Sequence, residues 1–173
     1  KGLCEEYNIE YEECKRWYDG YRQRGIEIYN PESVVMCMED GEFENYWGRT
    51  SSYAVISDYI KMNFEGTKDA VIRMMAGENV DVNVTRFMNT MDSFDSRNDV
   101  FTYLIHVGYL AYDRETKTCR IPNWEILQEW QNAIETNGEY SVTNCIIESS
   151  KELLKNTIAG NEKAVATALD ASH

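Results

Sequence analysis

The chain has 173 residues, 43% of them hydrophobic, and its 30 acidic against 17 basic side chains leave it at −13. A chain of this length buries roughly 70% of its unfolded surface, so it holds a core without disulfide staples, and its apolar share excludes wholesale disorder. No run of eighteen apolar residues offers a membrane span, and no basic stretch ahead of an apolar one reads as a signal peptide.

In chain order, Leu3, Tyr7, Tyr11, Cys14 and Trp17 recur at helical spacing and predict one helix over 3–18, broken by Gly20. Ile26 to Tyr29 is short and β-prone. Asn30-Pro31-Glu32 is a helix start, with Asn30 as N-cap and Pro31 at the first helical position, and Gly41 is the stop. Ser51 or Ser52 can cap a helix to about Met62, and Thr67 one over Lys68–Ala76 whose apolar face is Ala70, Val71, Met74 and Met75. The period then changes: Val80, Val82 and Val84 alternate with polar residues, which predicts a strand. Ser96 to Asp99 resembles a capping box opening a helix to Val107, and Gly108 ends it. Two β-prone runs across 109–121 flank the polar stretch Asp113 to Lys117 and predict a hairpin. Asn123 caps a helix to about Thr136 with Leu127, Trp130 and Ile134 inward, and a last long helix is expected over 143–158. Its Ile146, Ile147, Leu153, Leu154 and Ile158 form a broad apolar side that needs a partner, expected within the chain against 124–136. The fold class is therefore mainly α with a small β component.

The sequence holds no GxxxxGKS/T phosphate cradle, no GxGxxG, no GxSxG and no HExxH, so no catalytic residue and no metal ligand is assigned. Paired acids such as Glu12 and Glu13 read as solvated helix faces. His106 lies between Ile105 and Val107 and reads as a half-buried structural histidine. Cys4, Cys14, Cys37, Cys119 and Cys145 are too far apart in sequence for a zinc knuckle and read as buried free thiols in a reducing compartment.

The order helix 68–76, strand 80–84, helix to Val107 and hairpin 109–121 is that of a winged-helix-like unit, whose second helix often enters a DNA groove. Residues 68–122 carry 7 basic and 8 acidic side chains, and the stretch Asn98–Val107 has no Lys or Arg. That charge favours a protein-facing unit over a DNA-reading one. The wing still offers Arg114, Lys117 and Arg120 as candidate contacts.

Two aromatic clusters remain. Trp17-Tyr18-Asp19-Gly20-Tyr21 is followed by Tyr29-Asn30-Pro31, and Gly41-Glu42-Phe43-Glu44-Asn45-Tyr46-Trp47 leads to Thr50-Ser51; later come Leu104 to Leu110 and Arg120-Ile121-Pro122-Asn123. Rings this dense make core or interface, so the motif is expected to be structural and mostly buried, with Trp17 and Trp47 in the same packed region. This ordered series resembles the C-terminal half of the bacterial AAA-ATPase-like family, over about residues 1–136. The resemblance implies P-loop ATPases of the STAND/AAA type whose nucleotide-binding core lies upstream, commonly followed by a PD-(D/E)XK nuclease-like domain. It implies three parts: a helical region at 1–66, a winged-helix-like unit with its following helix at 67–138, and the start of the next domain at 139–173. On this basis the segment is not itself an enzyme, and ATP and Mg are expected only in the upstream core. Its partners are other domains of the same protein, with no membrane and no nucleic acid expected for the segment alone, in the cytoplasm. Arg49 is a candidate nucleotide sensor. The alternative implied function is a DNA-binding winged-helix module of the same parent.

Overall fold

The computed structural model describes residues 1–50, 54–86, 94–135, 150 and 152–170. The fold is mainly α, with two small antiparallel sheets. The expected helix over 3–18 is two helices, α1 (Gly2–Glu6) and α2 (Tyr11–Tyr18). Asn8 takes a left-handed conformation at φ +55, and the Glu10 carboxylate accepts from the backbone N–H groups of Glu12 and Glu13. Two carboxylate-capped donors start a new helix where periodicity alone ran straight through. β1 (Tyr21–Gln23) and β2 (Ile26–Ile28) follow as a tight hairpin around Arg24-Gly25.

α3 (Pro31–Asp40) starts as the sequence predicts: the Asn30 side chain accepts from the Glu32 N–H at 3.3 Å, and Gly41 ends the helix. A short α4 (Trp47–Thr50) and α5 (Ala54–Ile60) come next, and Ser51 and Ser52 lie outside the described residues. In α6 (Thr67–Met75) the N-cap is Gly66, without a side-chain bond. Thr67 is therefore inside the helix and fully buried rather than its cap, while Ala70, Val71, Met74 and Met75 form the buried face as expected.

The strand at Val80 is shorter than the alternation suggested. Only Val80–Asp81 pairs, as β3; Val82 is buried beyond it and Val84 opens a turn of 3₁₀ helix to Arg86. α7 (Arg97–His106) is capped by the Ser96 hydroxyl, which accepts from the Asp99 N–H at 3.3 Å and donates to its carboxylate at 2.8 Å. This helix starts one residue before Asn98, so it does carry one cation, Arg97, which donates to the carbonyls of Gly66 and Asp81. β4 (Ala111–Asp113) and β5 (Thr118–Arg120) are the predicted hairpin. β5 lies in the middle of a three-stranded sheet ordered β3-β5-β4, with Val80 opposite Cys119 and Tyr112 opposite Cys119 on the other side. The strand before α7 thus pairs with the hairpin after it.

α8 (Trp124–Glu135) is capped by Asn123, whose Oδ1 accepts from the Ile126 N–H at 3.0 Å. α9 spans 152–158 and α10 Glu162–Asp170. Of the expected last helix, 143–149 lies outside the described residues, so Ile146 and Ile147 do too. Leu153 is half-buried, whereas Leu154 and Ile158 are exposed. No helix among the described residues is long and apolar enough to cross a membrane.

Two hydrophobic clusters form. The first gathers Cys4, Cys14, Tyr18, Cys37, Met38 and Tyr46; the second gathers α5, α6, α7, the three-stranded sheet and α8 around Phe101, Leu104 and Trp130. The sequence divides between them at Tyr46-Trp47, for Trp47 packs on the second cluster and Trp17 on the first. The two tryptophans thus belong to different packed regions, contrary to expectation, because α4 turns the chain away from the first cluster and lays Trp47 against Gly108 and Tyr109.

Candidate functional site

The motif segments converge on one helix. α8 carries its buried apolar residues Ile126, Trp130, Ala133 and Ile134 into the second cluster. Its adjoining face carries Glu125 and Glu129, one turn apart, at 0% and 2% exposure. Glu125 Oε1 accepts from the Ser33 hydroxyl at 2.7 Å and from the Trp47 backbone N–H at 2.8 Å, and Oε2 lies 3.5 Å from Asn30 Nδ2. Glu129 Oε1 accepts from Asn45 Nδ2 at 2.7 Å, and its Oε2 is buried without a hydrogen-bond partner. Burial raises the pKa of both carboxyls above the ordinary glutamate value; the hydrogen bonds to each oppose that shift without cancelling it. Asn30, which caps α3, and Asn45, which also accepts from the Gly48 N–H at 2.9 Å, thereby reach from their own turns into α8.

The turn at Asp19-Gly20 is clamped from the same side. Arg120 donates to the Gly20 carbonyl and Asn123 Nδ2 to the Asp19 carbonyl, each at 2.8 Å. Gly20 is required here: at φ +111, a Cβ would sit 2.0 Å from the Pro122 carbonyl oxygen. The Tyr21 hydroxyl donates to the Gly108 carbonyl at 2.6 Å, and a Cβ on Gly108 would lie 2.8 Å from the Trp47 ring. Behind this seam the Tyr18 hydroxyl donates to the Glu44 carbonyl and accepts from its N–H, while its ring lies 6.3 Å from Phe43 and 6.2 Å from Tyr46.

Of the motif residues, Tyr18, Asp19 and Tyr46 are buried, and Trp17, Gly20, Tyr21, Tyr29, Asn30 and Trp47 are half-buried; Pro31, at the start of α3, is exposed. The Asp19 carboxylate lies 3.9 Å from Lys15. Arg49 is engaged with Glu44 at 2.9 Å and Asp40 at 3.7 Å and lies over the Tyr46 ring. Arg114 and Lys117 are exposed on the turn of the second hairpin. Arg120, by contrast, is half-buried and holds the Asp19-Gly20 turn. His106 is exposed at the end of α7, not half-buried, because Gly108 turns the chain before that face is covered.

Asp19 and Gly20 border a cleft of about 220 Å³ shared with Lys15, Arg16, Arg22, Glu27, Arg120 and Pro122. A larger groove of about 770 Å³, sharing Arg16 and Pro122 with that cleft, lies between the end of α6, the start of α8 and α9. The Arg16 guanidinium sits there 3.8 Å over the exposed Trp124 ring, and Glu152 and Lys155 of α9 form part of the wall. Among the described residues, no group of three or more His, Cys, Asp or Glu is arranged to hold a metal ion. Most of the motif groups bond one another or α8, but one Asp19 carboxylate oxygen, like Glu129 Oε2, is buried without a hydrogen-bond partner.

No protein-family profile, curated protein or solved structure matches the chain.

Sequence reading took the acids as solvated and so missed Glu125 and Glu129. One signal could have found them: both fall beside the apolar positions Ile126 and Trp130 on the buried side of α8. It also missed that Cys4, Cys14 and Cys37, far apart in sequence, share one cluster.

Proposed function

We propose that this chain is the non-catalytic helical and winged-helix-like region of an AAA-ATPase-like protein, coupling an upstream nucleotide-binding core to a downstream nuclease-like domain through protein contacts. The supporting observation is the seam on α8, where one buried carboxylate, Glu125, takes donors from α3 and the start of α4. A rigid polar joint between two apolar clusters passes a displacement of one to the other, because neither partner can leave without stranding a buried charge. On this reading the chain works in the cytoplasm, and ATP and Mg belong to the upstream core. Full-length protein tests it. Glu125→Ala should leave nucleotide binding in place and lower the response of the downstream domain to nucleotide at least tenfold. A gene without an upstream P-loop, or a response unchanged in the variant, would overturn the reading.

A second reading, a DNA-binding module, draws on one observation. Arg22 and Arg120 border two adjoining clefts between the hairpins, and Arg114 and Lys117 stand on the neighbouring turn. Glu27 lies 3.0 Å from Lys15 and 3.7 Å from Arg22, and Asp113 shares the cleft, which leaves little net charge for phosphates. A mobility shift with duplex DNA at low salt separates the two readings; the coupling reading expects none.

A further inference from the structure

The groove between the end of α6, the start of α8 and α9 is about 770 Å³, the size that takes a small organic molecule. Ile121, Pro122 and Leu127 line it half-buried and Trp124 lines it 42% exposed, so apolar surface stands uncovered along it. Among the described residues its charged groups are Arg16 of α2 and Lys155 and Glu152 of α9. Two cations less one acid leave the groove at +1 in a chain at −13. Arg16 lies 3.8 Å over the Trp124 ring and 3.7 Å from Glu13, beyond hydrogen-bond reach. Among the described residues neither its guanidinium nor the Lys155 ammonium donates a hydrogen bond, whereas Glu152 accepts from Asn156 Nδ2 at 3.0 Å. A guanidinium over a ring keeps the N–H groups of its edge, and that planar edge matches the two oxygens of a carboxylate.

We propose that this groove binds a small aromatic monocarboxylate, with the carboxylate on Arg16 and the ring against Trp124, Pro122 and Leu127. A single negative charge matches the net charge of the groove, and a dianion would exceed it and meet Glu152. An inorganic anion would leave the apolar wall wet, and an uncharged ring would draw nothing from Arg16. An aromatic body suits the wall better than an alkyl chain, because contact with the Trp124 indole adds to the area buried. Trp17, with its ring centroid 6.2 Å from that of Trp124, braces that indole. Lys155 adds a longer-range attraction that salt weakens. The proposal is independent of the coupling reading.

The test titrates the chain by calorimetry with cinnamate, with its uncharged amide cinnamamide and with octanoate. Cinnamate should fill one site with a Kd of roughly 0.1 mM, and cinnamamide and octanoate should each bind at least tenfold more weakly. Arg16→Ala should weaken cinnamate at least tenfold and leave cinnamamide unchanged, and Lys155→Ala should weaken cinnamate by about twofold at low salt. Arg114→Ala, on the distant turn of the second hairpin, should change nothing. The comparison of cinnamate with cinnamamide on the unaltered chain decides the matter even if a variant folds poorly. No cinnamate binding at millimolar concentration, equal affinity for cinnamamide or octanoate, or undiminished binding to Arg16→Ala overturns the proposal. A groove covered by a second copy of the chain would show in sedimentation as a dimer that takes up no cinnamate, and would overturn it as well.

Discussion

The two hydrophobic clusters differ in what holds them. Among the described residues the first buries six apolar side chains, three of them cysteines, and the second buries eighteen, including Phe101 and Trp130. The second has helices on a three-stranded sheet and a tryptophan whose Nε1–H donates to the Tyr109 carbonyl at 3.0 Å. The first has three short helices and a two-stranded hairpin whose Ile26 is 67% exposed. Six buried side chains do not offset the ordering entropy of some forty residues. The first cluster therefore depends on the second, and the polar seam on α8 is where that dependence is carried.

The largest expected effect breaks the stronger region and takes both with it. Trp130→Ala removes a fully buried side chain and should cost about 3–5 kcal/mol in urea unfolding. Fluorescence of Trp17 in the first cluster should be lost in the same transition. Gly20→Ala should cost about 2–3 kcal/mol, since it puts a Cβ into the Pro122 carbonyl at a positive φ. Its effect should fall on the seam and loosen the first cluster more than the second.

How much of this contrast was legible in the sequence follows from its physics. Local chemistry was readable: Asn30 and Ser96 cap their helices, Asn123 caps α8, and the hairpin around Asp113–Lys117 forms where the period changed. Long-range chemistry was not. The burial of Glu125 depends on Ser33 and on Trp47, each about eighty residues or more away. The split of the first helix hinges on a glutamate cap, a residue type with no strong capping preference. The assignment of Trp17 and Trp47 to different clusters depends on the direction of α4, which no periodicity encodes.

Glu129→Gln sharpens the comparison through pH. Burial raises the folded-state pKa of Glu129 above its unfolded value. Its contribution to stability is therefore fully present below the unfolded pKa and is lost as pH rises through the raised folded value. Wild type should lose stability over that window, and the glutamine variant should lose less. At acid pH, where the carboxyl is protonated in both states, the two should match, and above the raised folded value the variant should lead in denaturant titrations. The smallest effect is expected on the exposed turn. Arg114→Ala and Lys117→Ala should each change stability by less than ~0.5 kcal/mol, since neither side chain belongs to the seam.

The dependence of the first cluster on the second is tested most directly by hydrogen exchange of Glu125→Ala against wild type, read peptide by peptide. Removing the carboxylate leaves the Ser33 hydroxyl and the Trp47 N–H without their acceptor, at a cost of about 3 kcal/mol to the seam. The account predicts that α2 and α3 exchange at least tenfold faster while α7 keeps its protection. Equal acceleration across both clusters, or none in α3, would contradict it.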